Sequence, residues 1–335
     1  MAPLRIGVLG CADIAVRRML PAFAASALTE LSVVASRSPA RAAAVAGEYG
    51  ARAVGDYREV LAAADVDAVY VPLPAALHAD WVEAALLAGK HVLSEKPLTT
   101  DAGRTARLLA LARARGLALV ENVMFVHHSQ HAAVRDLVAE GAIGEPRALT
   151  AAFTIPRLPP GDIRFRPELG GGALLDTGVY PVRAAMHLLG TDLRVVGATL
   201  TSAPGFEVDT AGAALLSTPE GVTAQVTFGL DHGYRSAYQL WGADGRLTVE
   251  PAFTPAADHR PVIRLTRRSG TEEIELAADD QVAAAVAAFA RAAATARTDD
   301  AALHQARLLD DIRDQAGKAA VGDLPRTATG AESGW

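Results

Sequence analysis

Leu4-Arg5-Ile6-Gly7-Val8-Leu9-Gly10-Cys11-Ala12-Asp13-Ile14-Ala15 is a short apolar strand that runs directly into a turn of small residues. A strand-to-helix turn that binds a dinucleotide follows the pattern G-x-G-x-x-G/A. The first glycine permits the tight turn, the second lets the backbone approach the pyrophosphate, and the third position must be small for helix-strand contact. Here Gly10 stands first, Ala12 replaces the second glycine and Ala15 fills the third place. In isolation the stretch reads equally well as an ordinary strand-helix junction. Its position favours the nucleotide reading, because it opens a chain of βαβ units. Strands are expected at 4–9, 31–35, 68–71, 91–93 and 117–120, with helices at 14–25, 39–49, 76–87 and 102–115 between them. Such alternation implies right-handed crossovers and a parallel sheet covered on both faces. Gly10, Cys11, Ala12, Asp13 and Ile14 then become cofactor-binding candidates, at a helix N-terminus whose free amides and positive dipole end suit phosphate.

The end of the second strand discriminates between cofactors. NAD sites place Asp or Glu there for the ribose 2′-hydroxyl, whereas a 2′-phosphate needs a cation and no acid. The chain reads Val34-Ala35-Ser36-Arg37-Ser38, without a carboxylate. Ser36 can donate to a phosphate oxygen and Arg37 can form a charge-assisted fork. Ser38 either adds a bond or caps the helix that starts at Pro39. The alternative for Arg37 is a surface side chain; NADP is preferred to NAD.

At 335 residues the chain suggests about two domains. The formal charge of −6 is spread along the sequence and leaves no footprint for nucleic acid or an anionic membrane. Cys11, the one cysteine, excludes an internal disulfide and a Cys-based zinc site. With no apolar leader before the first strand, a cytoplasmic protein is expected. After residue 122 the texture changes. Helices are expected at 131–140 and 172–189, then strands at 211–217, 222–228, 237–241, 246–249 and 262–266, and helices at 281–294 and 301–316. Alternation through Val222-Thr-Ala-Gln-Val-Thr-Phe228 marks an antiparallel sheet with one face packed on helices. The expected architecture is an α/β Rossmann domain over 1–122 and an α+β domain over 123–335 with a large, mainly antiparallel sheet. The tail after Gly322, rich in Gly, Thr, Ser and Pro, is expected to be loose.

Three further constellations carry chemistry. Gly89-Lys-His-Val-Leu-Ser-Glu95-Lys96-Pro97 ends a strand in a charged pair stopped by proline. Open α/β sheets deliver ligand-contacting residues at the carboxyl ends of their strands. Alone, a Glu-Lys-Pro turn is more often a solvated surface turn; the dinucleotide turn before it favours an active-site edge. In Val71-Pro-Leu73-Pro74, the Pro-Leu-Pro turn could wall the nicotinamide side of the crevice. His78 beyond it either touches the cofactor ribose or merely begins a helix. In Gly170-Gly171-Gly172-Ala-Leu-Leu-Asp176-Thr-Gly-Val-Tyr180, the glycines free the backbone, Gly172 included, for close approach to a ligand. Asp176 and Tyr180, four apart, share a helix face. Such a face can bind a sugar hydroxyl and deliver a proton, or be a half-buried polar pair. A nearby lysine is expected to lower the tyrosine pKa and improve it as a donor. Arg164 and Arg166 could grip a substrate diphosphate or form surface pairs. His127, His128 and His131 have helix-face spacing, but no acid or cysteine completes a metal set, so no metal is expected.

Together these motifs resemble the Gfo/Idh/MocA oxidoreductases (glucose-fructose oxidoreductase, inositol dehydrogenase and rhizopine catabolism proteins). Gly10 to Ala15, Val69 to His78, Gly89 to Pro97 and Gly170 to Tyr180 stand in that family's order and spacing. The resemblance implies a Rossmann domain followed by an open-faced sheet used in homo-oligomer contacts. It also implies a catalytic Lys96, often with a cis bond before Pro97, and Leu73, Pro74, His78, Glu95, Lys96 and Asn122 on the cofactor. Many relatives carry D-x-G-x-H where this chain has Asp176-Thr-Gly-Val-Tyr180. That difference, with Phe153-Thr-Ile-Pro156 and Gly161-Asp-Ile-Arg164, resembles the sugar C-3 ketoreductases of dTDP-deoxysugar biosynthesis in antibiotic pathways. The implied reaction is NADPH-dependent reduction of a nucleotide-linked ketosugar, with Tyr180 as proton donor, Lys96 assisting and Asp176 orienting a sugar hydroxyl. Lys96, Arg164, Arg166, Gly172, Asp176 and Tyr180 are the substrate-side candidates. The alternatives are an NADP-dependent dehydrogenase of a free aldose or trans-dihydrodiol, and a dinucleotide-sensing regulator without turnover.

Overall fold

A computed structural model describes residues 2–321 of the chain. Its first sheet contains β1 (Leu4–Leu9), β2 (Thr29–Ala35), β3 (Arg52–Val54), β4 (Ala68–Val71), β5 (His91–Glu95) and β6 (Leu119–Asn122). All six are parallel, in the order β3-β2-β1-β4-β5-β6. That order reverses direction between β1 and β4, which opens a crevice at their carboxyl ends. The crossovers carry α1 (Leu20–Ala25), α2 (Pro39–Glu48), α3 (Tyr57–Ala62), α4 (Ala75–Leu87) and α5 (Ala102–Ala114). Successive strand residues feed opposite cores, as the pleat dictates. Val69 and Val71 enter one cluster with Leu9, Val33 and Val92, while Tyr70 enters the other with Ile6, Val8 and Leu93.

The chain then forms α6 (Ser129–Ala139), β7 (Pro146–Thr154), α7 (Val179–Leu189), β8 (Arg194–Thr201), β9 (Ala211–Ser217) and β10 (Thr223–Gly229). β11 (Arg235–Gly242), β12 (Gly245–Val249), β13 (Val262–Arg267) and β14 (Gly270–Glu275) complete the second sheet, before α8 (Gln281–Ala294) and α9 (Asp300–Val321). The order is β14-β13-β12-β11-β7-β10-β9-β8, antiparallel except for the central β7–β10 pair. One face packs on α7, with Phe153, Val226, Phe228, Leu240 and Val182 in a common core. The other face is open.

Several expectations need correction. β3, β7, β8 and β14 lie where no strand is expected, and α3 where no helix is. β3 and β14 are mostly exposed edge strands with no apolar stripe to announce them. α3 does carry a readable signal, since Asp56 and Glu59 form a reciprocal capping box. The expected helices at 14–25 and 172–189 each begin instead with a π-turn, Ala15–Met19 before α1 and Leu174–Gly178 before α7. A split at residue 122 separates the sheets but not the cores. Val282, Val286 and Phe289 of α8 join the core of the first sheet, and so does Ala302 of α9 on its other face. The expected loose tail after Gly322 lies outside the described residues. No helix among the described residues is long and apolar enough to cross a membrane.

Candidate active site

β5 delivers Glu95, Lys96 and Pro97 to the crevice, and the Lys96–Pro97 bond is cis. Glu95 is buried behind the lysine, where its carboxylate accepts hydrogen bonds from the Tyr70 hydroxyl (2.6 Å) and Asn122 Nδ2 (2.8 Å). The Lys96 ammonium crosses to the second domain. There it donates to the Asp176 carbonyl at 2.9 Å and to Asp176 Oδ1 at 2.6 Å. It also stands 5.3 Å from the centroid of the Tyr180 ring. Asp176 lies in the π-turn and Tyr180 in the first turn of α7, so the pair faces one cleft although the expected continuous α-helix is interrupted there. π-turns within helices frequently mark functional sites.

The electrostatics follow from burial and pairing. Burial works to raise the Asp176 carboxyl, but Lys96 and the Arg164 guanidinium (Nε to Oδ2, 2.7 Å) hold it down at about 2. Burial likewise works against the Lys96 charge, and the Asp176 carboxylate overrides it, leaving the ammonium pKa raised. Tyr180 corrects an expectation. Lys96 does pull its pKa down, yet burial acts more strongly and the Asp176 and Glu95 carboxylates add to it, so the phenol is shifted upward. It therefore stays protonated through neutral pH. Among the described residues no hydrogen bond ties its hydroxyl to protein, which leaves it available to a ligand.

The cleft has a volume of about 410 Å³ and gathers Ala12, Ile14, Leu73, Pro74, Glu95 and Lys96 from the first domain. Arg164, Gly170, Asp176 and Tyr180 face them from the second. Other candidates fall elsewhere. His78 is buried, with Nδ1 2.8 Å from the Pro97 carbonyl and Nε2 2.6 Å from the Leu73 carbonyl. It braces two cleft-lining turns from behind. Asn122 is buried behind Glu95, and Asp13 is exposed in an ion pair with Arg17. Arg166 pairs with Glu168 on the surface. Arg164 is committed to Asp176 and Asp162 instead of standing free for a diphosphate. A Cβ on Gly172 would meet the Asp209 carboxylate. His128 caps α6, and His131 bridges Tyr238 and the Ala252 carbonyl, so both serve packing.

Sequence assigned no place in the site to Phe153, Ile155, Met124 or Leu175, which add to its apolar lining. Phe153 meets the Tyr180 ring edge-on at 4.6 Å. It sits near the end of β7, and recognising that strand would have placed it.

Whether a dinucleotide phosphate fits is testable on the β1 turn. Gly10 has φ of +117°, and a Cβ there would stand 3.2 Å from Leu73 Cδ2 and 3.4 Å from the Tyr57 hydroxyl. The backbone is thus pressed against the crevice as a phosphate cradle requires. At the end of β2, Ser36 is buried and Arg37 is exposed, next to Ser38, which caps α2 through the Arg41 amide. Arg41 was not foreseen. Its charge reaches the Cys11 thiol, as that of Arg37 reaches Tyr57, and neither arginine is in an ion pair among the described residues. Two open cations without a carboxylate fit a 2′-phosphate.

Residues 4–123 match a family described as an oxidoreductase family with an NAD-binding Rossmann fold, and residues 131–248 match the GFO/IDH/MocA C-terminal domain. A dTDP-3,4-didehydro-2,6-dideoxy-alpha-D-glucose 3-reductase of Streptomyces violaceoruber is 56% identical over 93% of this chain and 95% of its own. The chain belongs to the Gfo/Idh/MocA family. Within that family, a solved 3-ketoreductase from Actinomadura kijaniata, in complex with NADP and TDP-benzene, superposes with a TM-score of 0.91. It is 50% identical, over 93% of this chain and 98% of that one. A D-xylose 1-dehydrogenase (NADP(+)) of Haloferax volcanii is 40% identical over 88% of this Gfo/Idh/MocA chain and 90% of its own.

Proposed function

We propose that this protein is an NADPH-dependent reductase of the C-3 ketone of a dTDP-linked keto-deoxysugar. The observation that carries the reading is the Lys96 ammonium, bonded across the cleft to Asp176 and set against the Tyr180 ring, in the same cleft as Ala12 and Pro74. Bound NADPH supplies the hydride. The β1 turn holds the pyrophosphate, and Ser36, Arg37 and Arg41 hold the 2′-phosphate. Tyr180, kept protonated by its raised pKa, gives its proton to the ketone oxygen as the carbon is reduced, and recovers one from solvent. Lys96 stabilises the negative charge that develops on that oxygen. Asp176, ionised down to about pH 2, accepts a hydrogen bond from a neighbouring sugar hydroxyl. Phe153 and Ile155 offer the deoxygenated face of the sugar an apolar wall.

A cytoplasmic location accords with this chemistry. The open face of the second sheet, where Trp241 is 45% exposed, is proposed to mate with a second copy of the chain in a homo-oligomer. A substrate panel tests the function. NADPH oxidation with a dTDP-3-keto-2,6-dideoxysugar should exceed NADP⁺ reduction with D-xylose by at least ~10² in kcat/KM, a margin that a few specific polar contacts supply. Preference for the free aldose would overturn the reading.

A further inference from the structure

Lys96 and Tyr180 belong to different domains, so the distance between the two depends on how those domains are held. In front, the tie is the Lys96–Asp176 contact, which lines the cleft and is open to competition from a substrate hydroxyl. Behind, a second tie is buried. The Leu98 amide, two residues after Lys96, donates to Glu121 Oε1 at 2.8 Å. The other oxygen of Glu121 accepts from Arg183, three residues after Tyr180 on α7. Gln305 of α9 clamps both partners, donating to Glu121 Oε1 at 3.0 Å and accepting from Arg183 Nε at 2.7 Å. The Glu121 and Arg183 side chains are only 1% and 5% exposed. They border a cavity of about 800 Å³ behind α7, away from the catalytic cleft.

We propose that Glu121 and Arg183 are positioning residues, which set the separation of Lys96 and Tyr180 by bolting the turn after the lysine to the helix that carries the tyrosine. Stability does not explain the pair. Burial pushes the Glu121 carboxyl up to about 7 even with Arg183 beside it, so ionising it inside the fold is costly. Buried ion pairs of this kind are often no more stabilising than apolar residues of similar volume. Geometry does explain it, because each partner is anchored within three residues of a group that the reaction uses. The inference rests on the reading of Lys96 and Tyr180 given above.

The double variant Glu121→Gln/Arg183→Met tests it. Glutamine keeps an acceptor for the Leu98 amide while the charged link to α7 is lost. The expected result is a cooperative thermal transition no lower than wild type, an NADPH Kd within about threefold, and a kcat reduced at least tenfold. A crystal structure of the variant should show the Lys96 Nζ to Tyr180 ring distance, 5.3 Å in the wild type, lengthened by about 1 Å, a displacement that costs up to ~10² in rate. Arg183→Lys, which keeps a cation opposite Glu121, should recover part of the rate and serves if the double variant does not fold. An unchanged distance, a kcat within twofold of wild type, or a parallel fall of kcat, NADPH affinity and thermal stability without recovery by lysine would each overturn the proposal. If Tyr180→Phe kept the wild-type rate, the reading of the site would fail instead, and the structural comparison would still decide the bolt.

Discussion

Asp176 is the residue on which the charges of the cleft converge. One oxygen faces Lys96, the other Arg164, and its own carbonyl takes a second bond from the lysine. Its folded pKa of about 2 lies below the usual carboxylate value near ~3.9. The stability that this ion pair contributes is therefore fully present above the usual value and is lost as pH falls through about 2. Asp176→Asn removes the partner that raises the Lys96 pKa and leaves burial to lower it. The basic limb of the kcat profile should then move to lower pH, and kcat at pH 7.5 should fall about tenfold, the cost of one hydrogen bond to a charged group. An unshifted limb would show that Lys96 does not set it. At the other end of the cofactor path, Arg37→Ala should raise the Kd of NADPH by about 10- to 100-fold for the same kind of bond, and that of NADH by no more than about threefold. Fluorescence titration of both cofactors separates these outcomes, and equal losses would remove the 2′-phosphate from the account.

At the scale of elements, Gly170, the first of the three glycines before α7, forms a close approach between the second domain and the start of α4. Gly170 has φ of +74°, and a Cβ there would sit 2.8 Å from the Ala76 amide at the start of α4. Gly170→Val combines left-handed strain of about 1–2 kcal/mol with overpacking of about 1–3 kcal/mol, so denaturant titration should show a loss near 3 kcal/mol. A neutral result would mean that this contact yields. The glycines were legible as a close approach, but sequence could not say which protein groups they approach: Ala76 for Gly170, the Arg164 carbonyl for Gly171 and Asp209 for Gly172. β4, an unbroken apolar run, was legible because both of its faces are buried. β7 was not. Its Ala-rich pattern alternates weakly, and with it went Phe153 and the apolar wall of the site. The π-turns have no sequence signature, although Asp176 and Tyr180 still share the cleft across one of them.

For the whole molecule, the decisive feature is where the first sheet reverses its order. β1 lies between β2 and β4, and the crevice at their carboxyl ends receives the cofactor turn from one side and the α7 terminus from the other. Motifs at Gly10, Lys96 and Tyr180 were readable separately, as types of residue in types of turn. Their meeting depends on long-range contacts such as Glu121 with Arg183, which no local pattern announces. This meeting makes Tyr180 the proton donor in the proposed ketone reduction. The most direct test of that role is single-turnover NADPH oxidation with a dTDP-3-keto-2,6-dideoxysugar, comparing wild type with Tyr180→Phe. The Tyr180→Phe rate should be lower by at least ~10², as loss of a general acid requires, at an NADPH affinity close to wild type. A Tyr180→Phe rate equal to that of wild type would contradict that role.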